Sequence, residues 1–286
     1  MADRQLVCVV TDSTSDIPRQ MVADLGIVVV PLTIAFGAES FRDGIDLTPT
    51  EFLAKLKSSD VLPKTSQPPT TAFETVFREA LDDDKNVVCI TISADLSGTF
   101  NAARLAAEAV GSDRIQIIDS RATTMQEGWV VVAAARAAKT GADATEVATV
   151  ARNAIPRARL YAVLQTLDYV HKGGRIGKAQ QLVGSALAIK PILSFVEGVL
   201  VPVERVRTWK KAVGRITDLI VPTPTDIIVI HSDNLDDAQR VAADLQRSYP
   251  RVHIDIGHAG ATISTYAGPG ALGVAALYPE QATFGS

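Results

Sequence analysis

Apolar runs of strand length alternate with amphipathic, helix-like segments through the first half of this chain. Leu6–Val10 is followed by helical periodicity from Ser15 to Leu25, which Gly26 ends, and then by the run Ile27–Ile34. Strands that are separated by helices pair in parallel through βαβ units. The alternation therefore predicts an α/β fold whose N-terminal part has a mainly parallel sheet flanked by helices.

Two helix starts carry the capping-box pattern, at Thr48–Glu51 and at Thr71–Glu74. In this pattern the Thr hydroxyl and the Glu carboxylate satisfy free backbone N–H groups at the start of a helix. Further along, alanine-rich sequence predicts helices at Thr124–Lys139 and Asp143–Ala154. The α/β pattern therefore continues to the middle of the chain.

A domain boundary is expected near Pro156, where proline interrupts the second alanine-rich helix. The chain has 286 residues and 47% hydrophobic side chains, enough for two domains of ordinary size. We expect an N-terminal α/β domain over residues 1–156 and a C-terminal α/β domain over residues 157–286, with a ligand bound between them.

The C-terminal part is predicted to contain a hairpin. Ile189–Val196 and Val199–Val203 are two strand-like runs separated by Glu197-Gly198, and glycine at such a turn favours antiparallel pairing. Helices are predicted near Leu167–Lys172 and over Ala179–Leu187, and further strand and helix alternations follow. This order predicts a mixed or antiparallel sheet in the C-terminal domain.

Bulk composition excludes several classes of partner. The formal net charge is -4, which argues against binding to nucleic acid. No apolar run is long enough for a membrane-spanning helix, and the N-terminus lacks a signal-peptide pattern, so a cytoplasmic protein without stable membrane insertion is expected. Cys8 and Cys89 lie in apolar runs and are expected to be buried hydrophobes. No metal site and no cofactor are predicted.

Three loops rich in Ser and Thr follow predicted strands, at residues 11–16, 64–69 and 93–99. Ligands of open α/β sheets bind beyond the carboxyl ends of the strands, and hydroxyls suit an anion such as a carboxylate or phosphate. In the first loop, Ser15 or Asp16 is expected merely to cap the next helix. Thr65 and Ser97 are the stronger binding candidates, because Thr71 already caps the helix after Thr65, and Gly98 after Ser97 permits the close approach of a ligand.

Signatures of self-sufficient catalysis are missing from the sequence. Residues 268–273 fit G-x-G-x-x-G, but Ala271–Tyr278 is predicted to be a strand, whereas a dinucleotide fingerprint must open a helix. Neither a P-loop nor a G-x-S-x-G elbow is present. A stand-alone phosphotransferase or esterase that uses Ser97 as a nucleophile is the alternative, although no base stands at a suitable spacing.

Two basic clusters have no role in the interpretations above. One is the glycine-rich segment 171–177 with Arg175, and the other contains Arg205, Arg207, Lys210 and Lys211. Helix capping explains the glycines of the first cluster, and a solvated face would explain the second. Alternatively, the two clusters form a patch for a phosphate or an acidic partner.

Seven short motifs together resemble the DegV family, in the family's order and over nearly the whole chain. They are TDSTSDI at 11–17, GIDLTPTEF at 44–52, KTSQPPT at 64–70, DLSGTFNAA at 95–103, LDYVHKGGRIG at 167–177, LAIKPIL at 187–193 and AGPGALGV at 267–274.

This resemblance implies a two-domain carrier that holds one long-chain fatty acid in an apolar tunnel. The residues that match the family's carboxylate-binding positions are Thr65 and Ser97, with Ser66 as an additional candidate donor. Tyr266 stands where the family commonly has His before the terminal Gly-Pro-Gly. A Tyr hydroxyl can donate to a carboxylate, but it cannot supply the charge of an imidazolium.

The resemblance also implies a partner, a separate fatty-acid kinase subunit. That subunit would phosphorylate the bound carboxylate to an acyl phosphate for phospholipid synthesis, so this chain would be the non-enzymatic, binding half of the system. Arg175 and Arg207 fall in the motifs whose basic residues are implicated in kinase docking.

Overall fold

The computed structural model of the chain describes residues 6–183 and 189–282. Its strands are β1 (Val7–Asp12), β2 (Val28–Val30), β3 (Thr33–Phe36), β4 (Glu39–Arg42), β5 (Lys64–Ser66), β6 (Asn86–Thr91), β7 (Ile115–Asp119), β8 (Ala158–Val163), β9 (Lys190–Val196), β10 (Val199–Val206), β11 (Asp226–His231), β12 (Ile254–His258) and β13 (Leu272–Leu277).

Helices connect these strands. They are α1 (Arg19–Leu25), α2 (Pro49–Ser58), α3 (Thr70–Asp82), α4 (Thr99–Val110), α5 (Thr124–Lys139), α6 (Ala144–Ala154), α7 (Asp168–Lys172), α8 (Trp209–Asp218), α9 (Leu235–Ser248) and α10 (Ala261–Ala267). Short 3-10 segments lie at Ser13–Ser15, Ile155–Arg157 and Gly177–Leu182.

The predicted α/β fold class is confirmed by two larger sheets. The first has the order β2-β1-β6-β7 and is parallel throughout. The second has the order β10-β9-β8-β13-β11-β12, in which only β11 and β12 are parallel neighbours. Its β9–β10 hairpin turns at Glu197 and Gly198, as predicted, and Gly198 has a φ of 87° that glycine tolerates without strain.

A third, antiparallel sheet with the order β4-β3-β5 was not predicted. It forms because the apolar run Ile27–Ile34 is not one strand. Pro31 lacks the N–H that a continuous strand would use, so β2 ends at Val30 and joins the first sheet while β3 joins the third. This small sheet positions β5, which carries Thr65 opposite Ile34.

The predicted helix from Ser15 to Leu25 is wrong in its first turn. The chain makes a 3-10 turn over Ser13–Ser15, and α1 begins only at Arg19. Pro18 disfavours helical geometry at the residue before it, and Asp16 takes a left-handed φ of 52°. Neither Ser15 nor Asp16 caps α1, whose N-cap residue is Pro18.

One of the two predicted capping boxes is confirmed. Thr48 and Glu51 exchange both hydrogen bonds at the start of α2. The second prediction is wrong, since α3 begins at Thr70 behind Pro69, and Thr71 and Glu74 lie inside the helix. The helix predicted over Ala179–Leu187 is only a 3-10 segment as far as Leu182, and residues 184–188 lie outside the described residues.

Helix α5 packs between the two larger sheets. It contacts β1 of the first sheet and both β8 and β13 of the second. Its side chains are buried on nearly every side, including Trp129 and Val130, as expected for a helix without a solvent face. One apolar core therefore runs from Val88 in the first sheet to Ala275 in the second. The division into domains 1–156 and 157–286 stays a prediction.

Candidate functional site

A cavity of about 460 Å³ lies between the second sheet and the loops of the first half of the chain. Its wall is predominantly apolar, with residues from β8, β9, β10 and β11 and from the loops beyond the strand ends: Leu32, Ile92, Leu160, Ala162, Leu164, Leu193, Phe195, Leu200 and Ile230. A predominantly apolar lining with a minority of polar groups is typical of sites for an apolar small molecule.

Thr65 and Ser97, the two favoured binding candidates, line the same cavity although they lie 32 positions apart in the sequence. Thr65 belongs to β5, and Ser97 lies in the loop between β6 and α4. The two loops touch at Gly98, where a Cβ atom would overlap the carboxamide of Gln67. Glycine at position 98 leaves room for the Gln67 carboxamide in its present position, and Gln67 is a lining residue that was not predicted.

Tyr266 joins these hydroxyls from α10. Its hydroxyl lies 2.5 Å from Thr65 Oγ1, and either atom can donate. Its ring packs against Gly173 and lies beneath the guanidinium of Arg175, 5.5 Å from the ring centroid. Ser66, the additional candidate, also lines the cavity but is exposed.

Arg175 lies at the cavity, and Arg207 does not. The Arg175 side chain donates to Leu96 O at 3.3 Å and Gly173 O at 2.7 Å. Among the described residues that line the cavity, Arg175 is the only one with a charged side chain of the Lys, Arg, Asp or Glu type. Arg207 is exposed beyond the end of β10. The structure therefore separates the cavity-lining Arg175 from Arg207, two residues for which the sequence predicted a common role.

A histidine at the cavity adds no positive charge. Burial, and then the neighbouring His258, lower the pKa of His231, so its ring is neutral near pH 7. Its Nδ1 accepts a hydrogen bond from Asn234 N at 3.2 Å, which is compatible with the neutral ring. Arg175 is thus the group that can oppose a ligand's negative charge.

The loop that carries Ser97 is held by the turn of the β9–β10 hairpin. Ser93 Oγ donates to Gly198 O at 3.0 Å. Arg121 pairs with Asp95 at 2.9 Å and also donates to Glu197 O. This contact, which we term the hairpin clasp, connects a cavity wall formed by β9 to the loop that presents the Ser97 hydroxyl.

A network of buried carboxyl groups lies beneath the first sheet's strand ends. Thr14 Oγ1 is 2.6 Å from Asp12 Oδ1 and 3.0 Å from Glu127 Oε2. A hydroxyl has one proton, so it cannot donate to both, and one carboxyl must donate to it. Burial, reinforced by the charge of Asp12, raises the pKa of Glu127 well above its usual value. Burial raises the pKa of Asp12 as well, but the Asp12 oxygens accept from the N–H groups of Thr14 and Ile92, so we assign Glu127 as the protonated group that donates to Thr14, which donates to Asp12.

Residues 6–183 and 189–282 offer neither a metal site nor a membrane-spanning helix. No group of His, Cys, Asp and Glu side chains there is arranged to hold a metal ion. No helix in these ranges has both the length and the apolarity that a membrane span requires. The polar side chains of the cavity are hydroxyls, the Gln67 carboxamide, the neutral His231 imidazole and one guanidinium, and the rest of the wall is hydrocarbon, a combination that suits an amphipathic anion.

Comparison with known proteins agrees with this arrangement. Residues 7–279 match the family described as "Uncharacterised protein, DegV family". The chain belongs to the DegV family. It is 34% identical to Protein DegV of Bacillus subtilis over 274 residues, which cover 94% of this chain and 98% of that protein. It is also 36% identical to a DegV domain-containing protein of Caldanaerobacter subterraneus, covering 94% and 97% of the two chains.

Solved structures of DegV proteins have the same fold. A DegV family protein from Thermus thermophilus, described by its fatty acid binding, superimposes with a TM-score of 0.89 at 31% identity and covers 96% of this chain and 99% of its own. DegV of Bacillus subtilis, described as a fatty acid binding protein, gives a TM-score of 0.87 at 33% identity with the same coverage. Fatty-acid binding is thus an activity of related DegV proteins.

Proposed function

We propose that this DegV-family chain binds one long-chain fatty acid in the cavity, with its carboxyl group between Thr65 and Ser97. The observation that carries the proposal is the composition of the cavity wall: a predominantly hydrocarbon lining together with one guanidinium and the hydroxyls of Thr65, Ser97 and Tyr266, which come from three separate elements. The DegV relatives described as fatty-acid-binding proteins support the same ligand class.

Affinity would come mainly from the acyl chain. Each buried methylene contributes about 0.8 kcal/mol to binding. A chain of roughly 14 to 18 carbons therefore gains on the order of 10 kcal/mol, from which the entropic cost of ordering the ligand is subtracted. The polar groups then fix the position and direction of the head group. Head-group binding at Thr65 and Ser97 would therefore fix the orientation of the ligand in the cavity.

The head group would be recognised through a relay of hydroxyls. When Tyr266 donates to Thr65, the Thr65 proton is free to point at a carboxylate oxygen. Ser97 and, less directly, the exposed Ser66 supply further donors. Arg175 adds the positive charge that the Tyr266 ring does not carry, and hydrogen bonds to a charged carboxylate are stronger than neutral ones.

The protein would act as a carrier for a partner enzyme rather than as an enzyme itself. Among the described residues, the Ser97 hydroxyl exchanges a hydrogen bond with Thr99 and with no imidazole or carboxylate, so it lacks an activating base. We propose that a separate fatty-acid kinase subunit phosphorylates the presented carboxylate to an acyl phosphate for phospholipid synthesis. Exposed Arg207 would then contact the kinase, and Arg175 would face the phosphorylated head group.

Binding is tested by titrating a fatty acid and its methyl ester into the wild type and into Thr65→Ala, Ser97→Ala and the double variant. Each single variant should weaken binding of the acid roughly ten- to hundredfold, the size of a hydrogen bond to a charged group. The ester should be affected less, and Thr75→Ala, an exposed threonine on α3, serves as the matched control. Equal losses for acid and ester would argue against head-group recognition at Thr65 and Ser97.

The partner is tested with a fatty-acid kinase subunit and ATP, trapping any acyl phosphate with hydroxylamine. Product should form only when both proteins are present. Arg207→Ala should slow it without changing fatty-acid affinity, and Arg251→Ala, another exposed arginine, is the control. Product from this chain with ATP alone would support the stand-alone enzyme instead.

A further inference from the structure

Two carboxylates from the N-terminal part of the chain, those of Asp16 and Asp43, contact the start of α10 and do not line the cavity. Asp43 Oδ1 accepts from Ala261 N at 3.1 Å, and its Oδ2 accepts from Thr262 N at 3.2 Å. Asp16 Oδ1 accepts from Gly260 N at 2.8 Å. Three consecutive N–H groups, which no helix can satisfy internally at its own start, are thereby bonded to side chains more than 200 positions away.

The Asp43 side chain is buried and is held in this position by hydrogen bonds. It is 3% exposed, and Ser13 Oγ donates to its Oδ2 at 3.1 Å while accepting from Leu32 N at 3.0 Å. Burial raises the pKa of Asp43, and the hydrogen bonds from Thr262 and Ser13 oppose that rise. All of its described partners are donors, so both carboxylate oxygens act as acceptors.

Asp16 connects α10 to a second helix. Its other oxygen accepts from Thr124 Oγ1 at 2.6 Å, at the first residue of α5. Thr124 lines the cavity and has a left-handed φ of 48°, which is unfavourable for a β-branched residue. A Cβ at position 260 would lie 2.8 Å from Asp16 Oδ1, so glycine there permits the approach.

Helix α10 has seven residues, and a helix of this length has little stability of its own. Its direction is therefore determined by what holds it. Tyr266 lies near its end and brings the hydroxyl that contacts Thr65. A shift at the start of the helix would move this hydroxyl relative to Thr65, and hydrogen bonds weaken steeply with such misalignment.

We infer that Asp43, together with Asp16, is a positioning residue of the head-group site: it holds the start of α10 and thereby places Tyr266 against Thr65. This inference rests on the proposed function, because the preference for a carboxyl head group is its readout. It gives the two N-terminal aspartates a role in ligand recognition without contact with the ligand.

The test is a double-mutant cycle with Asp43→Asn, Tyr266→Phe and the double variant. For each protein the affinity for a saturated fatty acid is divided by the affinity for its methyl ester. An Asn amide would point a donor at the N–H groups of α10, so Asp43→Asn should lower this ratio about tenfold, near the value of one charge-assisted hydrogen bond. In the Tyr266→Phe background, Asp43→Asn should change the ratio no further. Asp24→Asn, a carboxylate on exposed α1, is the control.

Three results would overturn the inference. Asp43→Asn could leave the ratio unchanged, it could weaken acid and ester equally, or its effect could persist in full without the Tyr266 hydroxyl. If Asp43→Asn does not fold, Gly260→Ala decides between the same outcomes, since its Cβ disturbs the contact of the carboxylates with the start of α10 while keeping both carboxylates. A wild type that binds neither ligand would contradict the proposed function itself, which these three results would leave standing.

Discussion

The substitution Ala162→Leu tests whether the cavity holds the hydrocarbon chain of the ligand. Ala162 lies on β8 with Gly273 and Leu193 as its neighbours on the adjacent strands. A Cβ at position 273 would lie 3.3 Å from the Ala162 Cβ, so both positions face the same space, and both line the cavity. Two small residues side by side leave room that an acyl chain can use.

Leucine at this position adds three carbons to the wall and should displace about three methylenes of a ligand that fills the cavity. At about 0.8 kcal/mol per methylene, the loss is about 2.4 kcal/mol, or roughly 60-fold in Kd for the longest chains. Fatty acids shorter by about three carbons should bind nearly as well as they bind the wild type.

The assay is calorimetric titration with saturated fatty acids of increasing length, which gives Kd as a function of chain length for each protein. Ala243→Leu, on the exposed face of α9, is the matched control and should leave the whole series unchanged. If Ala162→Leu weakened all chain lengths by the same factor, or none of them, the cavity would not be the site of the acyl chain.

Two further substitutions test other parts of the structure. Burial makes protonated Glu127 the stable form in the fold, so ionising it costs stability. The contribution of Glu127 to the stability of the wild type should therefore fall as pH rises above about 4.3, by at most about 1.4 kcal/mol per pH unit. Glu127→Gln keeps a donor to Thr14 without a charge. In urea unfolding, the stability of this variant relative to the wild type should therefore increase between about pH 5 and pH 8. A difference that stays constant with pH would refute the assignment of a protonated Glu127. Gly198→Ala would place a Cβ 2.5 Å from Ser93 Oγ at a left-handed φ, so it should open the hairpin clasp. Fatty-acid binding should then weaken more than it does in the exposed control Ala243→Leu. Unchanged affinity would show that the clasp does not position the Ser97 loop.

Local sequence signals predicted the elements that depend on local chemistry. The helix Thr124–Lys139 has the predicted bounds, because alanine-rich sequence favours helix from end to end. The β9–β10 turn was predicted from Gly198, since few other residues tolerate its backbone angle. Thr65 and Ser97 were selected as hydroxyls in loops next to predicted strands, and both line the cavity, although the prediction that Thr71 caps the next helix was wrong.

Elements that depend on distant partners were not predictable in this way. Apolar periodicity predicted β2 and β3 as one strand. In the structure, Pro31 separates them and the two strands belong to different sheets. Asp16 was interpreted as a local cap, but its partners are Gly260 and Thr124, which no local pattern identifies. Arg175 was expected at a docking surface, and its position over the Tyr266 ring results from tertiary packing of two helical segments.

The most direct test of the central claim is native mass spectrometry of the purified protein, followed by organic extraction and identification of what it carries. The account predicts one fatty acid per chain, reduced in the Thr65→Ala Ser97→Ala double variant. A protein that is reproducibly empty, and that takes up no fatty acid when one is offered, would contradict it.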